Sequence, residues 1–149
     1  MKWLFKSEPD VFSIDDLTAL PTKITAWDGV RNYQARNFMQ QMKVGDLGFF
    51  YHSNAKPPGI AGIVKVVALA HPDKTAFDET SLYYDPKSTI AQPRWWCVDV
   101  AFVKKFERLI SLDEIKAIPG LEKMILLNQG RLSVQPVTED EWPIILSHI

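Results

Sequence analysis

Four short stretches concentrate the side chains that can recognise a flat, polar ligand. They are Lys6-Ser7-Glu8-Pro9, Trp27-Asp-Gly-Val-Arg-Asn-Tyr-Gln-Ala-Arg-Asn37, Tyr51-His52-Ser53-Asn54 and Gly130-Arg-Leu-Ser-Val-Gln-Pro136. Each mixes hydrogen-bonding groups with an aromatic ring or an arginine. Such sets suit a concave site in which a few polar groups orient a ligand between apolar walls. An aromatic ring stacks on a base face, worth ~1–3 kcal/mol per base. Amides and hydroxyls read a base edge, and arginine or lysine meets phosphate. Other chemistries lack their residues. There is no G-x-G-x-x-G or Walker sequence to cradle a nucleotide cofactor, and no G-x-S-x-G for a serine nucleophile. His52, His71 and His148 show no metal-ligand spacing, and the one cysteine, Cys97, excludes a cysteine-based zinc cluster. No cofactor and no metal are expected.

Every one of these stretches also has a plain structural explanation. Trp27 is equally at home as a core residue at a strand end. Arg31 and Arg36 read as solvated helix charges, and Lys6 with Glu8 as an exposed pair of little energetic value. Ser7-Glu8-Pro9 is turn chemistry ahead of a helix. Tyr51–Asn54 is a strand running into a turn, and Ser133 and Gln135 alternate in a short strand.

The elements that must position these groups follow from periodicity. Trp3–Phe5 reads as a strand, and Ser13-Ile-Asp-Asp16 as a capping box opening a helix to Ala19. Ile24–Trp27 is a strand closed by the Asp28-Gly29 turn. Ala35, Phe38, Met39 and Met42 recur at helical spacing, so Tyr33–Met42 is an amphipathic helix. Leu47–His52 and Ile60–Leu69 are strands, and Trp96, Val98, Val100 and Phe102 alternate as a third. His71–Arg94, with three prolines, is a long loop between them. Ser111-Leu-Asp-Glu114 is a second capping box. A short helix follows over Leu121–Leu127, then a strand over Arg131–Val134. Trp142, Ile145, Leu146 and Ile149 form a terminal helix, and Pro143 places its cap nearer Asp140 than Thr138. Long strands, short helices and no βαβ alternation give α+β, with a small, mostly antiparallel barrel and helices packed outside.

The chain of 149 residues suits one domain, 1–149, without linker or repeat. Its apolar fraction is 46%, its charged fraction 23% and its formal charge −1. That is globular composition, and it argues against a broad basic surface gripping nucleic acid. Residues 1–53, which hold most of the polar–aromatic stretches, carry six basic and six acidic side chains. Cys97 lies in an apolar run and is expected to be a buried thiol. No signal peptide or membrane span fits, so no membrane partner and a cytoplasmic location are expected.

In combination the stretches are more specific than singly. Trp3-Leu-Phe-Lys-Ser-Glu-Pro9, Trp27–Asn37, Phe50-Tyr-His-Ser-Asn54, Tyr84-Asp-Pro-Lys-Ser88, Pro93-Arg-Trp95 and Gly130–Pro136 occur in this order across essentially the whole chain. So ordered, the sequence resembles the EVE domain family. The resemblance implies a PUA-like β pseudobarrel, related in architecture to YTH and ASCH domains. It also implies a non-catalytic reader of modified bases, most specifically of 5-methyl- or 5-hydroxymethylcytosine in DNA. On the resemblance, a bacterial stand-alone form without the extra basic N-terminal region of the eukaryotic relative is expected.

On that resemblance a modified cytosine is flipped from the duplex into a pocket. Trp27 and Tyr33 are the candidates for stacking or caging it. Ser7, Asn32, Ser53 and Gln135 are candidates for edge hydrogen bonds, and Lys6, Arg31, Arg36 and Arg131 for phosphate contacts. Glu8, Val30, Tyr51, His52, Asn54 and Ser133 complete the expected pocket. Two alternatives stand beside this. PUA-like folds often bind RNA, so modified RNA replaces DNA in one. In the other the chain is a small amidohydrolase of acylated cytidines, as in ASCH relatives, with Lys6 activated and Glu8 as general acid or base. That would require a buried Lys6 with a lowered pKa.

Overall fold

The structure is a computed structural model describing residues 1–149. The strands are β1 (Lys2–Ser7), β2 (Ile24–Ala26), β3 (Leu47–His52), β4 (Gly59–Pro72), β5 (Trp96–Ser111) and β6 (Val134–Val137). The helices are α1 (Ile14–Ala19), α2 (Tyr33–Gln41), α3 (Leu112–Lys116), α4 (Ile125–Asn128) and α5 (Glu141–Leu146), with a 3-10 turn at Lys74–Phe77. All six strands form one sheet in the order β2-β5-β4-β3-β1-β6. Only β1 and β3 run parallel, joined by a crossover that contains α1, β2 and α2. Every other pairing is antiparallel.

Strand alternation builds two cores, one on each face. Trp3 and Phe5 of β1 and Phe50 of β3 face one, an 18-residue cluster with α1 and α2. Leu4, Phe49 and Tyr51 face the other, a 15-residue cluster roofed by α3, α4 and α5. The sheet is curled. Trp27 follows the edge strand β2, yet its ring packs edge-on against Phe5 at 5.2 Å and Phe50 at 5.3 Å, far across the strand order. Register shifts along β4–β5 add to the curl. At one of them Gly62 is required, because a Cβ there would collide with the Lys104 carbonyl. The result is the α+β PUA-like pseudobarrel.

Several local readings hold. Ser13 caps α1 with both halves of the box formed. Ser111 caps α3 through Glu114 N–H only, because the Glu114 carboxylate turns instead to Arg108 at 2.8 Å. Cys97 is buried, and burial, followed by Asp73, Asp28 and Asp99, pushes its thiol up to about 12.

Others are corrected. His71 and Pro72 belong to β4, paired with Cys97 and Trp96. Residues 121–124 form successive three-residue turns, so the helix is confined to Ile125–Asn128. The strand expected over Arg131–Val134 lies at Val134–Val137. Pro136 does not break it, because β6 is an edge strand and a missing N–H is tolerated there. The terminal helix stops at Leu146; its N-cap is Asp140, as expected, but the reciprocal side-chain bonds come from Thr138. Thr138 Oγ1 accepts from Glu141 N–H while Glu141 Oε1 accepts from Thr138 N–H.

Candidate nucleobase cleft

The curl leaves a cleft of about 460 Å³ where the end of β1 faces the turn after β2, a size typical of small-ligand sites. Trp27 forms its floor. The ring is 7% exposed and fixed by Phe5 and Phe50. Trp3, Trp95 and Trp96 spend their indole N–H groups on Asp46, Asp85 and Pro93. Trp27 has no such acceptor in the protein.

The first wall is the polar end of β1 and the chain that follows it. Lys6 Nζ donates to the Gly130 carbonyl at 2.8 Å, and burial lowers its pKa. Ser7 Oγ donates to the Phe12 carbonyl at 2.6 Å, which leaves the oxygen free to accept. Glu8 is held by Asn54 Nδ2 at 3.4 Å. Val11 and Phe12 add apolar surface, and Ser133 closes the end of the cleft, where its carbonyl takes the Lys6 N–H at 2.8 Å.

The second wall runs from Thr25 to Arg31, faced by Tyr83. A buried carboxylate organises it. Asp73 is 1% exposed. It accepts from Gly29 N–H at 2.8 Å, from Arg31 Nη1 at 3.0 Å and from Thr75 Oγ1 at 2.5 Å. Burial alone would push its carboxyl up. The bonds from Thr75, Gly29 and Arg31 outweigh that and hold it below the usual range. Gly29 has φ +76°, and a Cβ there would lie 2.7 Å from the Tyr83 ring, so glycine lets Tyr83 lie against the wall. Arg31 reaches further, to the Tyr83 carbonyl at 2.6 Å and to Thr75 Oγ1 at 3.1 Å.

The cleft therefore brings together Lys6, Ser7, Glu8, Trp27, Val30, Arg31 and Ser133 of the expected set. The rest lie elsewhere. Asn32 is the N-cap of α2, its side chain accepting from Ala35 N–H at 2.8 Å. Tyr33 stacks outside on Trp95, centroids 4.8 Å apart. Tyr51 is buried on the opposite face. His52 Nε2 accepts from Ile14 N–H, which requires the neutral ring, and burial lowers its pKa accordingly. Ser53 lies behind β1, its N–H bonded to the Ser7 carbonyl, and Asn54 touches the cleft only through Glu8. Gln135 pairs with Leu4 and is fully buried. Two phosphate candidates are held by partners within the protein. Arg31 has every donor engaged within the protein. Arg36 lies over Tyr33 and donates to Arg94 and Asn37. Arg131 sits in an exposed turn.

Sequence reasoning missed Val11, Phe12, Thr25, Ala26, Asp28, Gly29 and Tyr83 on the walls, and Asp73 behind them. Asp28 and Gly29 carry only a turn signal in the sequence. Tyr83 adjoins the Tyr84–Ser88 string, yet nothing local shows that this loop folds back onto Gly29.

Comparison with known proteins matches residues 1–148 to the EVE domain. The chain belongs to the EVE domain family. Human thymocyte nuclear protein 1 is 48% identical over 97% of the chain and 72% of its own length. A crystal structure of the human THYN1 protein in complex with 5-methylcytosine-containing DNA superposes with a TM-score of 0.96. It is 47% identical and covers 99% of this EVE domain and 96% of that chain. A protein from Pseudomonas putida superposes at 0.94, with 49% identity, 99% of this chain and 98% of its own.

This EVE domain has no cluster of His, Cys, Asp and Glu side chains able to hold a metal ion. No helix is long and apolar enough to cross a membrane. The charged side chains on the cleft are Lys6 and Arg31 against Glu8 and Asp28, and Arg31 is already paired with Asp73. Such a site favours a neutral aromatic ligand with hydrogen-bonding edges over a phosphate.

Proposed function

We propose that this EVE domain, acting as one unit over 1–149, is a non-catalytic reader that takes a modified cytosine of DNA into the cleft above Trp27. One observation carries the reading. A fixed indole floors a cleft of about 460 Å³ whose rim holds hydroxyls and one lysine but no free arginine. Trp27 stacks on the base, Ser7 and Ser133 meet its edge, and Lys6 lies where the sugar–phosphate enters. Arg131, in the adjoining exposed turn, is the second phosphate contact. Arg31 positions the second wall and touches no phosphate. The likeness to a human protein crystallised with 5-methylcytosine-containing DNA supports the ligand class.

The test is equilibrium binding to one short duplex carrying cytosine, 5-methylcytosine, 5-hydroxymethylcytosine or an unrelated modified base. A preference of about tenfold or more for a modified cytosine, ~1.4 kcal/mol, is expected. Weak binding to plain duplex with a shallow salt dependence is expected with it. Equal binding to all four contradicts the reading. Matched RNA strands compete poorly if DNA is the partner and well if the RNA alternative holds.

A second reading has one observation in its favour. The Lys6 pKa is lowered by burial, as an amidohydrolase of acylated cytidine requires. Against it, Lys6 donates to a carbonyl and Glu8 is held by Asn54, so the two are not paired. Turnover of an N-acylcytidine that disappears in Lys6→Ala would establish that activity, and no turnover is expected.

A further inference from the structure

Asp28 differs from the other charged side chains of the cleft. Lys6, Ser7, Glu8 and Arg31 each hold a partner in the protein. The Asp28 carboxyl bonds to no other residue. Its position is nevertheless fixed, because the residues on either side are pinned. Trp27 N–H donates to the Val98 carbonyl at 2.8 Å and Gly29 N–H donates to Asp73 at 2.8 Å. A carboxyl bonded only to its own backbone thus stands at the lip of the cleft, beside the indole that lines it.

Cytosine presents an amino donor, N4–H, next to a ring acceptor, N3. A carboxylic acid presents an acceptor next to a donor and matches both. A carboxylate presents two acceptors. One takes the N4–H, and the other faces the lone pair of N3. We propose that Asp28 is the cytosine-specifying residue of the cleft, and that base binding takes up one proton from solvent. That proton lies between N3 and one Asp28 oxygen, while the other oxygen accepts from N4–H. The proposal rests on the modified-cytosine reading. It assigns the base class to Asp28 and leaves the 5-substituent to the remainder of the cleft.

The surroundings of Asp28 favour proton uptake. Burial raises its pKa, and the Asp73 carboxylate behind Gly29 raises it further. Arg31 and a bond from its own backbone N–H oppose this without reversing it, and the Arg31 guanidinium is engaged by Asp73. Lys6 of β1 and Glu8 just after it line the same cleft, Tyr83 lies beside Gly29, and Cys97 of β5 stays a neutral thiol. Asp28 remains exposed, so the proton can arrive from water.

The experiment measures affinity of the full chain for a duplex with one 5-methylcytosine, and for its plain counterpart, between about pH 5 and about pH 8. Wild type, Asp28→Asn and Asp28→Ala are compared, each first checked for native folding. Wild-type affinity should fall by up to about tenfold per pH unit where the proton is taken up. An asparagine amide supplies acceptor and donor without a proton. Asp28→Asn should therefore bind with a flat profile, within a few-fold of the wild-type acid-side affinity. Asp28→Ala should be about tenfold or more weaker at every pH. The three proteins differ only at position 28, so a difference between their pH profiles reports on Asp28. A wild-type slope kept in Asp28→Asn, or wild-type affinity in Asp28→Ala, overturns the Asp28 assignment alone. Failure of wild type to prefer 5-methylcytosine at any pH overturns the reader function, and this proposal with it.

Discussion

Trp27 and Trp142 have the same exposure, 7%, and opposite meanings. Trp142 opens α5 on the helix-covered face and stacks on Phe49, centroids 3.9 Å apart and rings 20° from parallel. Its other neighbours belong to an apolar cluster, with the Lys2 ammonium 5.5 Å from its ring. Trp27 meets its aromatic neighbours edge-on and lines a cleft that also holds Lys6, Ser7, Asp28 and Ser133. Burial alone does not separate a packing residue from a binding one. The presence around a ring of groups with hydrogen-bonding capacity to spare, here Asp28 and Ser133, does.

The difference can be broken from either side. Trp142→Ala removes a stacked ring from a closed core and should cost about 3–5 kcal/mol of stability. Denaturant unfolding reads this, and the folded fraction should retain its preference for modified cytosine. A lost preference in the folded protein would mean that the two faces are not independent.

Next comes the clamp that holds the cleft wall. Arg31→Met leaves Asp73 buried without its cation, which costs about 3 kcal/mol at the low end of the range for a broken buried pair, because Arg31 is itself 22% exposed. It also frees Tyr83, so affinity falls although Arg31 touches no ligand. The pH dependence of stability carries the same signature. The Asp73 carboxyl is held below its ordinary value in the fold. Its contribution is therefore complete above the unfolded value of ~3.9 and is lost as pH falls through the folded value. Asp73→Asn should flatten this acid limb and leave the neutral and alkaline range parallel to wild type.

Trp27→Leu keeps an apolar floor but removes the stacking surface. It should weaken binding of the modified base by ~1–3 kcal/mol while unfolding at a denaturant concentration closer to wild type than Trp142→Ala. Unchanged binding would remove Trp27 from the site. The smallest effect is expected at Gly29. Gly29→Ala strains a backbone at φ +76° and presses on Tyr83. It should cost about 1 kcal/mol of stability, with a modest loss of affinity as the ring is displaced.

How much of this was legible in the sequence depended on distance along the chain. The two capping serines, α2 and β3 follow from local spacing and lie within a residue or two of their expected bounds. Lys6 to Glu8 and Trp27 are recognisable because each lies at or just past a strand end, where the chain turns from sheet to loop. Gln135 is not. Its orientation depends on pairing Leu4 opposite it, and the shift of β6 from Arg131–Val134 to Val134–Val137 changes which residues face the helices. Tyr33 has the composition of a ligand cage, but Trp95, 62 positions later, occupies its face. Arg31 has the composition of a phosphate ligand, but Asp73, Thr75 and Tyr83 exhaust its donors. Those partners come from a loop whose own sequence says only that it is irregular.

The central claim is that the ligand enters the cleft and does not lie on the outer surface. Its most direct test is the pair of indole N–H resonances of Trp27 and Trp142, assigned by substitution and followed during titration with duplex. With 5-methylcytosine DNA the Trp27 signal should move at low protein excess and the Trp142 signal should stay. With plain duplex neither should move beyond weak fast-exchange drift. A Trp27 signal that stays in place while modified duplex binds would contradict the account.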